Sequence, residues 1–441
     1  MTTWLAALPL PDHDCCILDT HIGDAHRFLS AWHHWRLKPD AKGVLRFIAV
    51  SSELKPQALE QALPQLPSNL APLASQFLAQ WPLPLPGLHQ LTLDNGRLEL
   101  TLVLSPPLRS NPLNRIQASC DFIWAPHSST TPNAAHLARL ANSGTVLWSD
   151  GADRDAALRF ERALIGAGFT VVRTAEHPTE ISASFRGTRT RNIGFHHSVA
   201  QSREALVVGA GLAGTAAAAG LARRGWKVTV LERHALPAQG ASGNLAAVLS
   251  PMLSKDDGLA AQLSRSSFLH LLKELRTLAP TTASGLWEPC GKLQIARNAK
   301  EEDSFQELIH EHQYPKEYVQ FLTRSAASND LGHPVAAGAL LFPEGGWVNP
   351  RALCEARLRS SPDIEMRGGQ GVLDITYAND QWQASGALGV QLGHAPVLIL
   401  ANAYEAQEFA PARQLHLKKV RGQVTHIPSD TLPLFLSLIH I

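Results

Sequence analysis

A chain of 441 residues with 45% hydrophobic and 17% charged residues has enough apolar material for sizeable cores and too little net charge for intrinsic disorder, and its length suggests two or three domains, with two as the working count. The formal net charge of +1 gives no global attraction to a polyanion or an anionic membrane, so any such contact has to come from a local patch. Five cysteines, Cys15, Cys16, Cys120, Cys290 and Cys354, are odd in number and lack C-x-x-C pairing, which argues against a disulfide framework and a zinc site and fits a reducing cytosol.

From the N-terminus, residues 1–16 carry acids and prolines where a signal peptide needs a basic start and a long apolar run. No uninterrupted apolar run reaches the roughly 18 residues of a membrane span. A cytoplasmic protein with no membrane partner is therefore expected. Apolar runs at 16–20, 45–50, 121–124, 145–149 and 170–173 read as strands, and stretches at 24–35, 134–141 and 153–166 as helices. This βαβ rhythm predicts a mostly parallel sheet. Within it, 91–93 and 98–104 flank Asp94-Asn95-Gly96-Arg97, the signal of a β-hairpin. The preceding Trp81-Pro82-Leu83-Pro84-Leu85-Pro86-Gly87 is a stiff connector, because proline fixes φ and removes donors. Residues 186–203, with Arg186, Arg189, Arg191, His196, His197 and Arg203, read as a basic linker, either solvated or resting on RNA phosphates.

A second α/β unit follows, with a strand at 205–208, a helix at 212–224 and a strand at 227–231. Its first turn, Gly209-Ala210-Gly211-Leu212-Ala213-Gly214, has the G-x-G-x-x-G spacing of a dinucleotide site. Gly209 permits the tight turn, Gly211 lets backbone approach a diphosphate at the helix N-terminus, and Gly214 lets helix and sheet pack closely. Glu232 ends the second strand about 18 residues after Gly214, close to where an acid holds a ribose hydroxyl. The loop Gln239-Gly240-Ala241-Ser242-Gly243-Asn244 has small residues that admit a planar ring or a phosphate, or form a plain surface turn. Beyond it, a helix is predicted at 259–278 and strands at 292–296, 372–377, 381–384 and 397–401. The pairs His33-His34, His196-His197 and His310-Glu311-His312 lack the i, i+4 spacing of a helical metal site, so no metal is expected. Ser242 lies outside a G-x-S-x-G elbow, which removes hydrolase chemistry.

The runs 237–244 and Leu249-Ser250-Pro251-Met252-Leu253-Ser254 resemble the flavin half of the bifunctional tRNA 5-methylaminomethyl-2-thiouridine biosynthesis family, a half that belongs to the glycine/D-amino-acid oxidase superfamily. So, in the same order, do Gly291-Lys292-Leu293-Gln294-Ile295-Ala296, residues 342–350 and Val420-Arg421-Gly422-Gln423-Val424. Residues 81–87 and the 94–97 hairpin resemble the family's methyltransferase half, so the resemblance covers nearly the whole chain. It implies an α/β fold class: a Rossmann-like methyltransferase fold over 1–185, a basic linker at 186–203, and an FAD-binding Rossmann domain with a mixed α+β substrate subdomain over 204–441. It implies FAD held by Gly209, Gly211, Gly214, Glu232, Ser242, Gly243, Asn244 and Val372, with tRNA as partner and a monomer as the oligomeric state. The implied reaction is oxidative removal of the carboxymethyl group of 5-carboxymethylaminomethyl-(2-thio)uridine at the wobble position, giving 5-aminomethyl-(2-thio)uridine. Methylation from S-adenosylmethionine follows in the family. An arginine gripping the substrate carboxylate is expected. Arg421 is the candidate, with a structural arginine or a phosphate contact as the other readings.

The sequence departs from the family at both ends. The glycine-rich loop of the methyltransferase half aligns with Asp19-Thr20-His21-Ile22-Gly23-Asp24-Ala25-His26, where Gly23 alone remains. The acid that holds the donor ribose aligns with Ser51, and an Asp-Gly-Phe-Ala-Pro stretch is replaced by Trp124-Ala125-Pro126-His127-Ser128. A methyltransferase fold without its chemistry is expected, with S-adenosylmethionine a cofactor only if this half is active. After Val424 nothing supplies the late glycine-rich turn that covers the flavin ring, and the apolar tail 435–441 is unlike the family, so a truncated flavin domain is expected. Two other readings stay open: an FAD-dependent amino-acid or amine oxidase without an RNA substrate, and a non-catalytic tRNA-binding remnant.

Overall fold

The computed structural model describes residues 10–38, 43–53, 55–105, 112–127, 132–172, 179–187, 202–279 and 285–422. The chain divides into two compact units, Met1–His196 with Asp257–Ser266, and His197–Asp256 with Ser267–Ile441. Most of the basic stretch expected as a linker at 186–203 lies outside the described residues.

Among the described residues, the first unit is built on β1 (Cys15–Asp19), α1 (His26–Arg36), β2 (Leu45–Ser51), α2 (Gln57–Ala62), α3 (Ala71–Leu78), β3 (Gly87–Leu93), β4 (Leu98–Leu104), β5 (Cys120–Trp124), α4 (Ala134–Leu140), β6 (Ala141–Ser149), α5 (Arg154–Gly166), β7 (Phe169–Val172) and β8 (Ile181–Phe185). The strands form one sheet in the order β3-β4-β2-β1-β5-β6-β8-β7. Its centre, β4-β2-β1-β5-β6, is parallel. β3 closes one edge antiparallel to β4, and β8 lies antiparallel to both β6 and β7 at the other. All five residues of β1 are buried, as expected of a central parallel strand covered on both faces. On one face Phe28, Trp32 and Trp35 of α1 and Phe77 of α3 pack on Phe47 and Leu100; on the other, Leu137 of α4 and Phe160 and Leu164 of α5 pack on Leu18, Ile123 and Leu147.

Local chemistry fixes these elements. The predicted hairpin turn has Asn95 and Gly96 at φ 54° and 90°, a conformation that asparagine and glycine adopt readily. Trp32 Nε1 donates to Asp94 Oδ2 (2.6 Å) and Trp35 Nε1 to the Arg97 carbonyl (3.0 Å), so the turn is fastened to α1. Helix α5 starts at Arg154 because Asp153 Oδ1 accepts the N–H groups of Asp155 (2.8 Å) and Ala156 (3.1 Å). The proline connector is held by Arg265, whose Nε donates to the Pro86 carbonyl (3.0 Å) while its Nη1 and Nη2 grip Asp257 (2.8 and 3.2 Å).

The second unit contains β9 (Glu204–Val208), α6 (Leu212–Ala222), β10 (Lys227–Leu231), β11 (Ala247–Leu249), part of α7 (Leu259–Leu278), β12 (Trp287–Glu288), β13 (Lys292–Ile295), α8 (Ala299–His312), β14 (Gln320–Leu322), α9 (Arg324–Leu331), β15 (Ala339–Phe342), β16 (Gly346–Val348), α10 (Pro350–Arg359), β17 (Ile364–Arg367), β18 (Asp374–Ala378), β19 (Gln381–Ser385), β20 (Gln391–Ala395) and β21 (Val397–Leu400). A parallel sheet, β17-β10-β9-β21, carries the nucleotide-type half. Three small antiparallel sheets, β11-β16-β12, β13-β15-β14 and β18-β19-β20, give the mixed α+β remainder.

Helix α6 buries Gly214, Thr215, Ala218, Ala219 and Ala222, side chains small enough for close packing. Arg357 of α10 is buried and binds Glu274 of α7 through Nε (3.0 Å) and Nη2 (2.6 Å), while its Nη1 donates to the Leu212 carbonyl (3.1 Å). One guanidinium thus ties α6, α7 and α10 together. The strand predicted at 372–377 begins at Asp374, so Val372 lies in the segment leading into it. Among the described residues no helix is long and apolar enough to cross a membrane, and no group of three His, Cys, Asp or Glu side chains is placed to hold a metal ion.

Candidate functional site

The site grows from the end of β9. Gly209 turns the chain with φ 104°, and a Cβ there would fall 2.7 Å from the Ala401 carbonyl oxygen. The glycine therefore serves the approach of the chain after β21 as well as the turn. At Gly214 a Cβ would lie 1.9 Å from the Gly209 oxygen, so the helix seats against the turn only without a side chain. At Gly211 the nearest obstacle is the movable Ser242 Oγ at 3.0 Å. Gly211 is the N-cap of α6, and the first-turn amides behind it lack intrahelical acceptors. The Leu212 N–H is taken by Ser242 Oγ (3.1 Å).

Glu232 follows β10 and is buried. Its Oε2 accepts the Ala210 N–H (2.8 Å), and its Oε1 accepts both the His234 N–H (3.0 Å) and the His234 ring nitrogen Nδ1 (2.8 Å). The Glu232 carbonyl accepts the Gln370 N–H (2.8 Å), which brings the 370–373 segment alongside. Gly209, Gly211, Glu232, Ser242 and Val372 together line a cavity of about 650 Å³, within the range of small-molecule sites. Asn402 lines it too, and its buried Oδ1 has no hydrogen-bond partner. An acceptor left unmatched in this way is costly unless a ligand donor meets it.

Gly214, Gly243, Asn244 and Arg421 are not among the cavity's lining residues. Gly214 acts through helix packing. Gly243 lets the loop fold back, since a Cβ would sit 2.8 Å from the Ala238 carbonyl oxygen. Asn244 is exposed after the short turn, and Arg421 is exposed beside the lining residues Lys418, Lys419 and Val420. Residues 423 and 424 of the Arg421 motif lie outside the described residues. At the rim Arg233 Nη2 pairs with Glu405 Oε1 (3.4 Å). Burial pushes the Glu405 carboxyl up, but its backbone hydrogen bond and the charges of Arg233 and Lys419 hold it below the ordinary carboxylate range. The lining thus carries Arg233, Lys418 and Lys419 together with the acids Glu405 and Glu408.

Sequence reading missed Asn402 and His234. Asn402 had a usable signal: it follows an apolar run at the carboxyl end of a parallel strand, where open α/β sheets bind ligands. His234 had none, because its role is the contact with Glu232.

The arrangement offers helix N–H groups for a diphosphate, a buried carboxylate for a ribose hydroxyl and a cavity beyond them. Residues 204–439 match the family described as FAD dependent oxidoreductase. Over 432 residues the chain is 35% identical to the tRNA 5-methylaminomethyl-2-thiouridine biosynthesis bifunctional protein MnmC of Aromatoleum aromaticum, covering 94% of this chain and 65% of that protein. The protein of the same description from Cupriavidus necator is 36% identical over 434 residues, covering 94% of this chain and 64% of that one. The chain therefore spans somewhat less than two thirds of the length of these relatives. Among solved structures, glycine oxidase from Geobacillus kaustophilus is 22% identical with a TM-score of 0.39, covering 48% of this chain and 58% of that chain.

Proposed function

The chain belongs to the FAD-dependent oxidoreductase family, and on that premise we propose that it is a flavoenzyme of tRNA wobble-uridine modification. Its substrate is 5-carboxymethylaminomethyl-(2-thio)uridine, from which it removes the carboxymethyl group oxidatively to leave 5-aminomethyl-(2-thio)uridine. The observation that carries the flavin assignment is the cavity that joins the Gly209–Gly211 turn, Glu232 and Ser242. The RNA substrate is supported by the named activity of relatives matched over 94% of this chain.

The diphosphate of FAD would rest on the first-turn N–H groups of α6, joined by the Ser242 hydroxyl. Glu232 Oε1 already accepts two donors from His234, so Oε2 is the oxygen for a ribose hydroxyl. The backbone at Val372 would flank the adenine, Gly214 seats the helix, and Gly243 and Asn244 shape the loop that carries Ser242. FAD, when bound, would take a hydride from the carboxymethyl carbon beside the substrate amine, after which water would release that two-carbon group as glyoxylate and leave the primary amine, with oxygen from air reoxidising the flavin. The protein's part is to hold that carbon over the ring and to keep the amine neutral.

Arg421 is assigned to the substrate carboxylate. Arg421→Met is then expected to raise KM by roughly 10-fold to 100-fold with a smaller change in kcat, and Arg421→Lys to recover part of it, in steady-state assays. The first unit is assigned no methylation. The functional test is nucleoside mass spectrometry of tRNA incubated with the enzyme and air. Conversion of the carboxymethylaminomethyl nucleoside to the aminomethyl one is expected, and an unchanged nucleoside beside turnover of free glycine would replace this reading with a general amine oxidase.

A further inference from the structure

In the first unit the parallel strands run outward from β1 in both directions, β2 and β4 to one side and β5 and β6 to the other. An open α/β sheet binds its ligand in the crevice beyond the carboxyl ends of the strands where that order reverses. Here the crevice opens past Asp19 of β1 and Trp124 of β5, which are tied by the Thr20 N–H donating to the Trp124 carbonyl (2.9 Å). S-adenosylmethionine would bind there in a methyltransferase of this fold. The side chains present do not fit it.

The guanidinium of Arg27 stands at these strand ends. Its Nε donates to Asp19 Oδ2 (2.9 Å), its Nη2 reaches Asp19 Oδ1 (3.4 Å) and the His21 carbonyl (2.6 Å), and its Cζ lies 4.7 Å from the centre of the Trp124 ring. Asp19 Oδ1 also accepts the His21 N–H (3.0 Å), so both oxygens are engaged. Asp19 is fully buried, and burial holds its carboxyl above the ordinary range against the charge and hydrogen bonds of Arg27, which lower it. Asp150, on the residue after β6, feels the same cation, since burial raises its carboxyl and the charges of Arg27 and His127 lower it. Ser51, at the expected ribose position, is closed on Glu53, donating to its carbonyl (2.9 Å) and accepting its N–H (3.2 Å). The backbone has nonetheless kept a glycine-type course. Gly23 and Ala25 have φ 53° and 58°, and at Ala25 that left-handed conformation is one an L side chain rarely adopts.

We propose that this crevice is a cation site occupied by the chain's own Arg27, a buried carboxylate below and an aromatic face beside it, and that the first unit therefore takes no sulfonium donor. The inference rests on the methyltransferase-like fold of the first unit and is independent of the flavin assignment. A donor sulfonium would have to displace a guanidinium that already neutralises Asp19, and would find no acid at position 51.

Isothermal calorimetry of the full chain with S-adenosylmethionine tests the occupied state directly, with no binding heat expected. Arg27→Ala should lower the melting temperature, gain at least about ten-fold in affinity for methylguanidinium, and be restored by it where equimolar potassium chloride restores nothing. Adding Asp19→Asn to Arg27→Ala should abolish that gain. If Arg27→Ala is recovered unfolded, refolding that depends on methylguanidinium is the equivalent readout. Saturable binding of S-adenosylmethionine by the wild-type chain, or an Arg27→Ala chain indifferent to methylguanidinium, would overturn the proposal. Neither result changes flavin absorbance, so failure here is distinguishable from failure of the oxidoreductase reading.

Discussion

Gly214→Ala is expected to abolish flavin retention and to cost about 3 kcal/mol or more of stability, the upper range for forcing a side chain into a packed site. The new Cβ would lie 1.9 Å from the Gly209 carbonyl oxygen, and that oxygen belongs to a turn wedged between α6 and the Ala401 backbone. No rotamer change relieves such a contact, so α6 must move off the sheet and take its N-terminal amides with it. Gly211→Ala separates packing from binding. Its Cβ meets only Ser242 Oγ at 3.0 Å, so the fold should tolerate it while the diphosphate loses its close approach to the backbone. Gly220→Ala, later in the same helix and away from the cavity, meets only the movable Arg224 Nη1 at 3.5 Å, so it should lower neither property and serves as the control. Urea denaturation and the flavin absorbance that survives gel filtration measure the two effects separately.

Arg357→Ala is expected to destabilise the second unit by about 3–5 kcal/mol, because it leaves a carboxylate buried without its partner. Three helices lose a common tie, since the same guanidinium holds Glu274 and the Leu212 carbonyl. In the wild type, burial pushes the Glu274 carboxyl up, but the hydrogen bonds and charge of Arg357, with Arg223 and His270, hold it below the ordinary range. A depressed carboxyl stabilises the fold above its unfolded pKa, and that contribution is lost as pH falls through the folded value. Without Arg357, burial dominates and the carboxyl protonates more readily, so the gap between variant and wild type should narrow on acidification. Urea titrations at neutral and mildly acid pH check the sign. The double replacement Arg357→Met with Glu274→Leu should cost much less than Arg357→Ala, as apolar side chains of similar volume replace the pair.

The sequence carried those parts of the fold that follow from local patterns. Helix α7 runs over Leu259–Leu278, matching its periodicity at both ends, and β2, β5, β10 and β21 lie within a residue of their apolar runs. Gly209, Gly211 and Glu232 line one cavity because a strand, a turn and a helix in succession leave little choice of geometry, and Ser242, whose loop the residues alone left open as a plain surface turn, lines it too. Helices α8 and α10 went unread although their start signals were present. Asn298 accepts from the Glu301 N–H (3.0 Å), and Asn349 accepts from the Ala352 N–H (3.1 Å) ahead of Pro350. Strand β18 was read two residues early because Val372 and Leu373 look like strand residues, while their backbone is drawn toward Glu232 by Gln370 and toward Ser385 by Leu373. The Arg27–Asp19–Trp124 contact was hidden for a different reason. Sequence showed which glycines and acids were missing from the crevice, but not which side chain had taken their place.

The proposed oxidation of a modified wobble uridine makes that nucleoside the reductant of the bound FAD, which anaerobic titration of the purified, flavin-loaded chain measures. Bleaching of the flavin absorbance band by tRNA bearing 5-carboxymethylaminomethyl-2-thiouridine, and not by the same tRNA bearing the 5-aminomethyl nucleoside, is the predicted result. A chain that cannot be loaded with flavin, or a band bleached by free glycine and indifferent to the tRNA, would contradict it.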